Sequence, residues 1–382
     1  MPAGARLQQG GTVGDPAVQR EAHTVFVAWR DLRFAKGRFA LMGTVIVLIT
    51  VLVGLLSGLT AGLGRQNISA ITGLPADHLV FGRPADGQKL SFTDSQVTPG
   101  QWQDWSREPG VTSAQPLGIT TTKASAGQRT AALSAFGVPD GSGLAPQGSL
   151  IAPGRAVLSR TAAENLGHLA PGAEFSLAGH RLTVAAVDGD AAYSHTPVVW
   201  TSLGDWQRLA PGGEGHATVI ALTTGKGADL AGADARHSTV THSREDSLAA
   251  IGSYTSENGS LQLMRGFLFA ISALVIGAFF TVWTIQRSGD VAVLKALGAS
   301  TRYLLRDALG QAVLLLVLGT LLGTAIASGF GALIGSAVPF VLDAPTVLFP
   351  ALVMIALGAV GAGLSIRRIT SVDPLTALGS AR

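Results

Sequence analysis

Four stretches of this chain lack Asp, Glu, Lys and Arg for long enough to cross a bilayer: Phe39–Gly64, Gly266–Gln286, Ala308–Leu342 and Ala344–Ile366. A hydrocarbon core takes about 20 helical residues. Lipid offers no water to a bare amide, so each run is confined to a helix that satisfies its own backbone. The runs therefore predict an α-helical membrane protein with four transmembrane helices. Composition agrees: 47% of the 382 residues are hydrophobic, 13% are charged and the mean hydropathy is +0.38, too apolar for an ordinary soluble domain. The first run exceeds the roughly 7 to 15 apolar residues of a cleaved signal and has a long segment before it, so it reads as a retained span.

Positive charge orients the chain. Arg30, Arg33, Lys36 and Arg38 precede the first run, Arg287, Lys295, Arg302 and Arg306 separate the second from the third, and Arg367 and Arg368 follow the fourth. By the positive-inside rule all three sets, and both termini, are expected in the cytoplasm. The segment from Arg65 to Arg265 is then extracytoplasmic. It reads as a mixed α+β domain, with strand candidates "HLVFG", "LSFT", "TAALSAFGV", "EFSLAGHRLTVAAV", "TPVVW" and "ATVIALTT" between Gly, Pro and Asp turns. The clearest helix there is "RAVLSRTAAENLG", with Leu158, Ala162 and Leu166 four apart and Gly167 as its stop.

The expected order is a disordered tail (1–20), an amphipathic helix in the inner interface (21–38), span one (39–64), the outer domain (65–242) and a stalk helix starting near Ser243 (243–265). Span two (266–286), a cytoplasmic helix and loop (287–307), span three (308–338), a short outer loop (339–344), span four (345–366) and a cytoplasmic C-terminus (367–382) complete it.

Several chemistries are excluded. The chain has no cysteine, so disulfides, thiol catalysis and cysteine metal sites are absent together. "TTGKGAD" around Lys226 lacks the first glycine and the Ser or Thr of a phosphate-binding loop. The eight histidines form no HExxH, and no GxSxG nucleophile elbow occurs. No catalytic residue, metal ligand set or intrinsic cofactor is expected, and the net charge of +3 is too dispersed to indicate nucleic acid.

After span two comes "TIQRSGDVAVLKALGAS". Val291, Leu294 and Leu297, with Val293 beside them, give an apolar face at helical spacing; Arg287, Asp290 and Lys295 surround it and Gly298 ends it. A solvated connector would not need those aliphatics, so the stretch is expected to be a short docking helix. Within the spans Gly54, Gly58 and Gly62, Gly319 and Gly323, and Gly331 and Gly335 recur at intervals of four. Such spacing lets backbones approach, within one chain or across a dimer seam. Four helices without interior charge make a poor pathway alone, which points to a homodimer in the lipid bilayer.

The docking stretch resembles the pattern that follows the second span in FtsX-like, MacB-type permeases of ABC transporters. The likeness extends to "VAWRDLRFAKGRF" before span one, to "RRITSVDPLTAL" after span four, and to the order of one span, a large outer domain and three more spans. It implies a bacterial cell-membrane permease that is not itself an enzyme. ATP would be bound and hydrolysed by a separate homodimeric ATPase that pushes on Arg287, Asp290, Val291, Leu294, Lys295, Leu297 and Gly298. "SALVIGAFFTVWTIQRSGDVAVLKALGAS" with "TAGLGRQNISAITGLPADHLVFG" is most similar to the heme-exporter branch, which implies heme as the substrate and a homodimeric permease. On the stalk Tyr254, Glu257, Leu261 and Met264 recur at spacings of three and four, with the donor types a ferric porphyrin accepts; Arg65 and Arg265 suit its propionates. The competing expectations are export of a peptide, drug or lipid, and a transmembrane signal transmitter acting on a cell-wall hydrolase.

Overall fold

A computed structural model describes residues 36–335 and 338–370. The N-terminal tail, all but residues 36–38 of the interfacial helix expected over 21–38, and most of the cytoplasmic C-terminus lie outside those residues. The order is α1 (Lys36–Thr72), β1 (His78–Gly82), α2 (Pro99–Trp105), β2 (Val111–Ala126), β3 (Arg129–Val138), β4 (Arg155–Leu158), α3 (Arg160–Asn165), β5 (Glu174–Leu177), β6 (His180–Val187), β7 (Ala192–Tyr193), β8 (Thr196–Ser202), α4 (Leu203–Leu209), β9 (Val219–Thr224), α5 (Leu230–His237), β10 (Thr239–Ser243), α6 (Tyr254–Gln286), α7 (Ser288–Ala296), α8 (Thr301–Ile334) and α9 (Ala344–Thr370). The chain divides into two compact units, Thr60–Leu263 and the remainder.

In the membrane unit α1, α6, α8 and α9 are long and apolar enough to span. Met42, Ile46, Phe280, Trp283, Leu316 and Met354 form its core, while Leu48, Leu52, Phe267 and Leu274 face outward, the burial expected where lipid replaces water. The spaced glycines pack inside this chain. A methyl at Gly319 would fall 2.7 Å from Ile46, one at Gly323 2.8 Å from the Val47 carbonyl, and one at Gly54 2.9 Å from Ala327. Phe340 fills the gap further along, where a methyl on Gly58 or Gly331 would lie within 2.3 Å of its ring. Gly54, Gly319 and Gly323 thus serve the close approach of α1 and α8.

The α+β unit is built on a sheet of order β10-β1-β9-β2-β3-β8-β4-β6-β5. β2 organises it: Val111–Leu117 pairs with β9, and Gly118–Ala126 pairs with β3. Gly118 and Gly137 face each other across β2 and β3 and leave a slot for the indole of Trp206 on α4; a Cβ on either would come within 2.3 Å of that side chain. On the far side Glu108 receives Arg236 at 2.7 Å and His237 at 2.7 Å, pinning α5 beside the segment after α2. Arg236 first, and His237 with it, hold the Glu108 carboxyl below the usual carboxylate range.

Four expectations are corrected here. Residues 155–158 are strand β4, and the helix starts only at Arg160, where Ser159 caps it by accepting from Ala162 N at 3.3 Å. "LSFT" forms no strand: Phe92 is buried in the core and its N–H donates to the Ala250 carbonyl at 3.2 Å. The stalk helix does not begin near Ser243, which ends β10 and whose hydroxyl accepts from Asp246 N at 3.0 Å. Leu248, Ala250 and Ile251 bury into the domain in a 3₁₀ turn and its exit, so the continuous helix starts at Tyr254. The helix carrying span three begins at Thr301 rather than Ala308, because Ser300 caps it.

Candidate functional site

Tyr254, Glu257 and Leu261 stand on the first turns of α6, within the α+β unit. Tyr254 is half-buried and packs against the domain core. Glu257 is the polar centre of this region. Its Oε2 accepts from Asn67 Nδ2 at 2.7 Å and meets His195 Nε2 at 2.8 Å. An ionised carboxylate only accepts, so Nε2 is the nitrogen that carries the proton. Asn67 is buried on the last turns of α1, whereas the side chains of His195 and Glu257 remain 36% and 40% exposed. The contact joins α1, α6 and the β7–β8 hairpin at one carboxylate that solvent still reaches.

Arg65 lies two residues before Asn67 on α1 and is exposed. Met264 and Arg265 continue along α6 in the membrane unit. Met264 is exposed, while Arg265 is half-buried with its guanidinium 4.9 Å from the Phe349 ring of α9 and 5.8 Å from Phe269. Such stacking holds a cation without neutralising it. Its Nε is buried without a hydrogen-bond partner.

His195 and Asn67 were not singled out in the sequence. They come to Glu257 across separations of 62 and 190 residues. A weak local signal exists in "AYSHTP", two short β-prone stretches around a two-residue turn that lacks the usual Asn-Gly.

The second candidate surface is α7. Val293, Leu294 and Leu297 are exposed, Leu297 at 79%, and Lys295 is half-buried. Gly298, at φ +93°, turns the chain into the left-handed region after the helix, and Ala299 N returns to the Leu294 carbonyl at 3.0 Å. Of the side chains of Asp290 and Val291, expected on the same surface, nothing is described. Arg287 faces inward: its guanidinium donates to Gln311 Oε1, lies 5.1 Å from the Trp283 ring, and Gln311 Nε2 in turn donates to Asp307 at 3.1 Å. The polar anchor of α7 is thus tied to α8, while its aliphatic edge stays exposed. Among the described residues no group of three His, Cys, Asp or Glu side chains is placed to hold a metal ion.

Residues 39–240, more than half of the chain, match the MacB-like periplasmic core domain, and residues 263–374 match the FtsX-like permease C-terminal domain. The chain is 26% identical over 359 residues to a protein of Staphylococcus haemolyticus described as a hemin transport system permease, HrtB, covering 92% of this chain and 99% of that one. It is 25% identical over 367 residues to an uncharacterized ABC transporter permease of Mycobacterium tuberculosis, Rv0072, covering 93% and 99%. Among solved structures, the periplasmic region of MacB from Actinobacillus actinomycetemcomitans aligns at 10% identity over 46% of this chain and 92% of that one, with a TM-score of 0.35.

Proposed function

The chain belongs to the ABC transporter permeases that join a MacB-like periplasmic core domain to an FtsX-like C-terminal domain, and from that premise we propose that it extrudes heme from the outer leaflet of a bacterial cell membrane. The observation that supports this substrate is the similarity, over nearly the full length of both chains, to a hemin permease. The half-exposed Glu257 fits it chemically, because a hard carboxylate is a suitable ligand for ferric iron.

In this reading both termini and α7 are cytoplasmic and the α+β domain is outside, the arrangement that the positive charges flanking the spans favour. A homodimeric ATPase binds ATP and seats the Val293, Leu294 and Leu297 edge of α7 in a groove. ATP-driven closure of that partner moves α7, and α6 follows because only Arg287 separates the two helices. The permease works as a homodimer, which sets two Glu257 carboxylates around one central cleft. With Gly54, Gly319 and Gly323 packed between α1 and α8, its seam is the outward face of α6 through Phe267, Ile271, Leu274 and Val282.

The test is the ATPase rate of the permease reconstituted with its ATPase in lipid nanodiscs. Hemin is expected to raise the rate saturably. Equal stimulation by unrelated amphiphiles, or none by hemin, would return the substrate to peptides, drugs or lipids.

A further inference from the structure

The β7–β8 hairpin is closed by Ser194 and His195 alone, with Tyr193 paired to Thr196 and Ala192 to Pro197. Both turn residues have positive φ, 48° and 63°. A two-residue turn of this hand suits the twist of the strands but favours Asn-Gly, since a Cβ in the left-handed region crowds the neighbouring carbonyl oxygen. A serine and a histidine occupy the turn against that preference. The surroundings enforce the conformation: Ser194 N donates to the Asn67 carbonyl at 3.0 Å, His195 N to the Gln66 carbonyl at 3.1 Å, and Ala192 N to the Ser69 hydroxyl at 2.9 Å. Below the tip, Tyr193 packs edge-on against Phe92 and Phe136.

The imidazole held in this way reaches a single atom, Glu257 Oε2, which also takes the Asn67 amide. Two donors on Oε2 restrain the rotamer, the Ser253 side chain is a further hydrogen-bond partner of the carboxylate, and Oε1 lies outside the His195 and Asn67 bonds. Metal-ligating carboxylates are characteristically held by such outer hydrogen bonds, and removing one costs about 10- to 100-fold in affinity.

We propose that His195 and Asn67 are positioning residues that fix Glu257 as a one-oxygen ligand, through Oε1, for the iron of an incoming ferric porphyrin. The proposal rests on the heme reading above and deepens it: the strained hairpin tip exists to place an imidazole behind the ligand, and heme itself touches neither His195 nor Asn67.

The experiment is an absorbance and electron paramagnetic resonance titration with hemin of the full chain in nanodiscs, comparing wild type with His195→Gly, His195→Gln, Asn67→Ala and Glu257→Ala. Thermal unfolding is followed in parallel. Glycine relieves the positive φ but deletes the donor, so His195→Gly is expected to unfold at the wild-type temperature or above while binding hemin about 10- to 100-fold more weakly. Its ferric spectrum should move towards that of Glu257→Ala. Glutamine, whose amide nitrogen reaches the place of Nε2, should restore affinity and spectrum, and Asn67→Ala should weaken binding without changing the fold. If Glu257→Ala abolishes binding but His195→Gly and Asn67→Ala keep wild-type affinity and spectrum, the positioning role is wrong and the heme site stands. If Glu257→Ala binds hemin as wild type does, the Glu257 site fails and the positioning role fails with it. Should His195→Gly unfold early, the glutamine variant decides: restored affinity supports the proposal and unrestored affinity overturns it.

Discussion

Trp206→Ala is expected to destabilise the α+β domain by about 3–5 kcal/mol, the usual cost of emptying a buried aromatic site. The indole is buried over the facing glycines Gly118 and Gly137, whose lack of side chains shapes its slot. β2 and β3 cannot close over the cavity, because each is committed to a second neighbour, β9 and β8. The converse change, Gly137→Val, meets the Trp206 side chain at 2.3 Å and should also destabilise, through overpacking. Hydrogen exchange across β2 and β3 of the full chain checks both; a loss under about 1 kcal/mol for Trp206→Ala would mean that the slot relaxes and the sheet does not depend on it.

The second large effect belongs to α7. Leu294→Asp is expected to abolish stable association with the ATPase, because it removes an exposed leucine that docking would bury, worth about 1.5–3 kcal/mol, and adds a carboxylate to an apolar contact at a further cost of about 1–3 kcal/mol. Together these amount to about 60-fold or more in affinity. Hemin binding by the permease alone should be unchanged. Co-purification of the ATPase with Leu294→Asp at wild-type yield would show that the edge of Val293, Leu294 and Leu297 is not the docking surface.

The spans were legible because a membrane helix advertises itself in one dimension: the absence of charge over 20 or so residues needs no knowledge of the fold. Within the strand candidate "EFSLAGHRLTVAAV" the chain reverses at Ala178 and Gly179 and divides into β5 and β6. β2 was missed. It contains Pro116 and Gly118 and is rich in threonine, and it changes partners midway, so no single alternation runs along it. Leu158, Ala162 and Leu166 imitated a helix because the end of a buried strand and a buried helix face fell four residues apart. At the candidate site, helical spacing was enough to put Tyr254, Glu257 and Leu261 on one helix. The partners of Glu257 were not legible, since only the pairing of β7 with β8 and their seating on α1 bring Asn67 and His195 to it.

The most direct measurement of the central claim is an absorbance titration of the purified permease in lipid nanodiscs with hemin, wild type against Glu257→Ala. The account expects a saturable Soret shift at one heme per dimer in the wild type, weakened at least tenfold or lost in the variant. Unsaturable partitioning identical in both proteins would contradict a heme site at the stalk and leave an ABC permease whose substrate is something else.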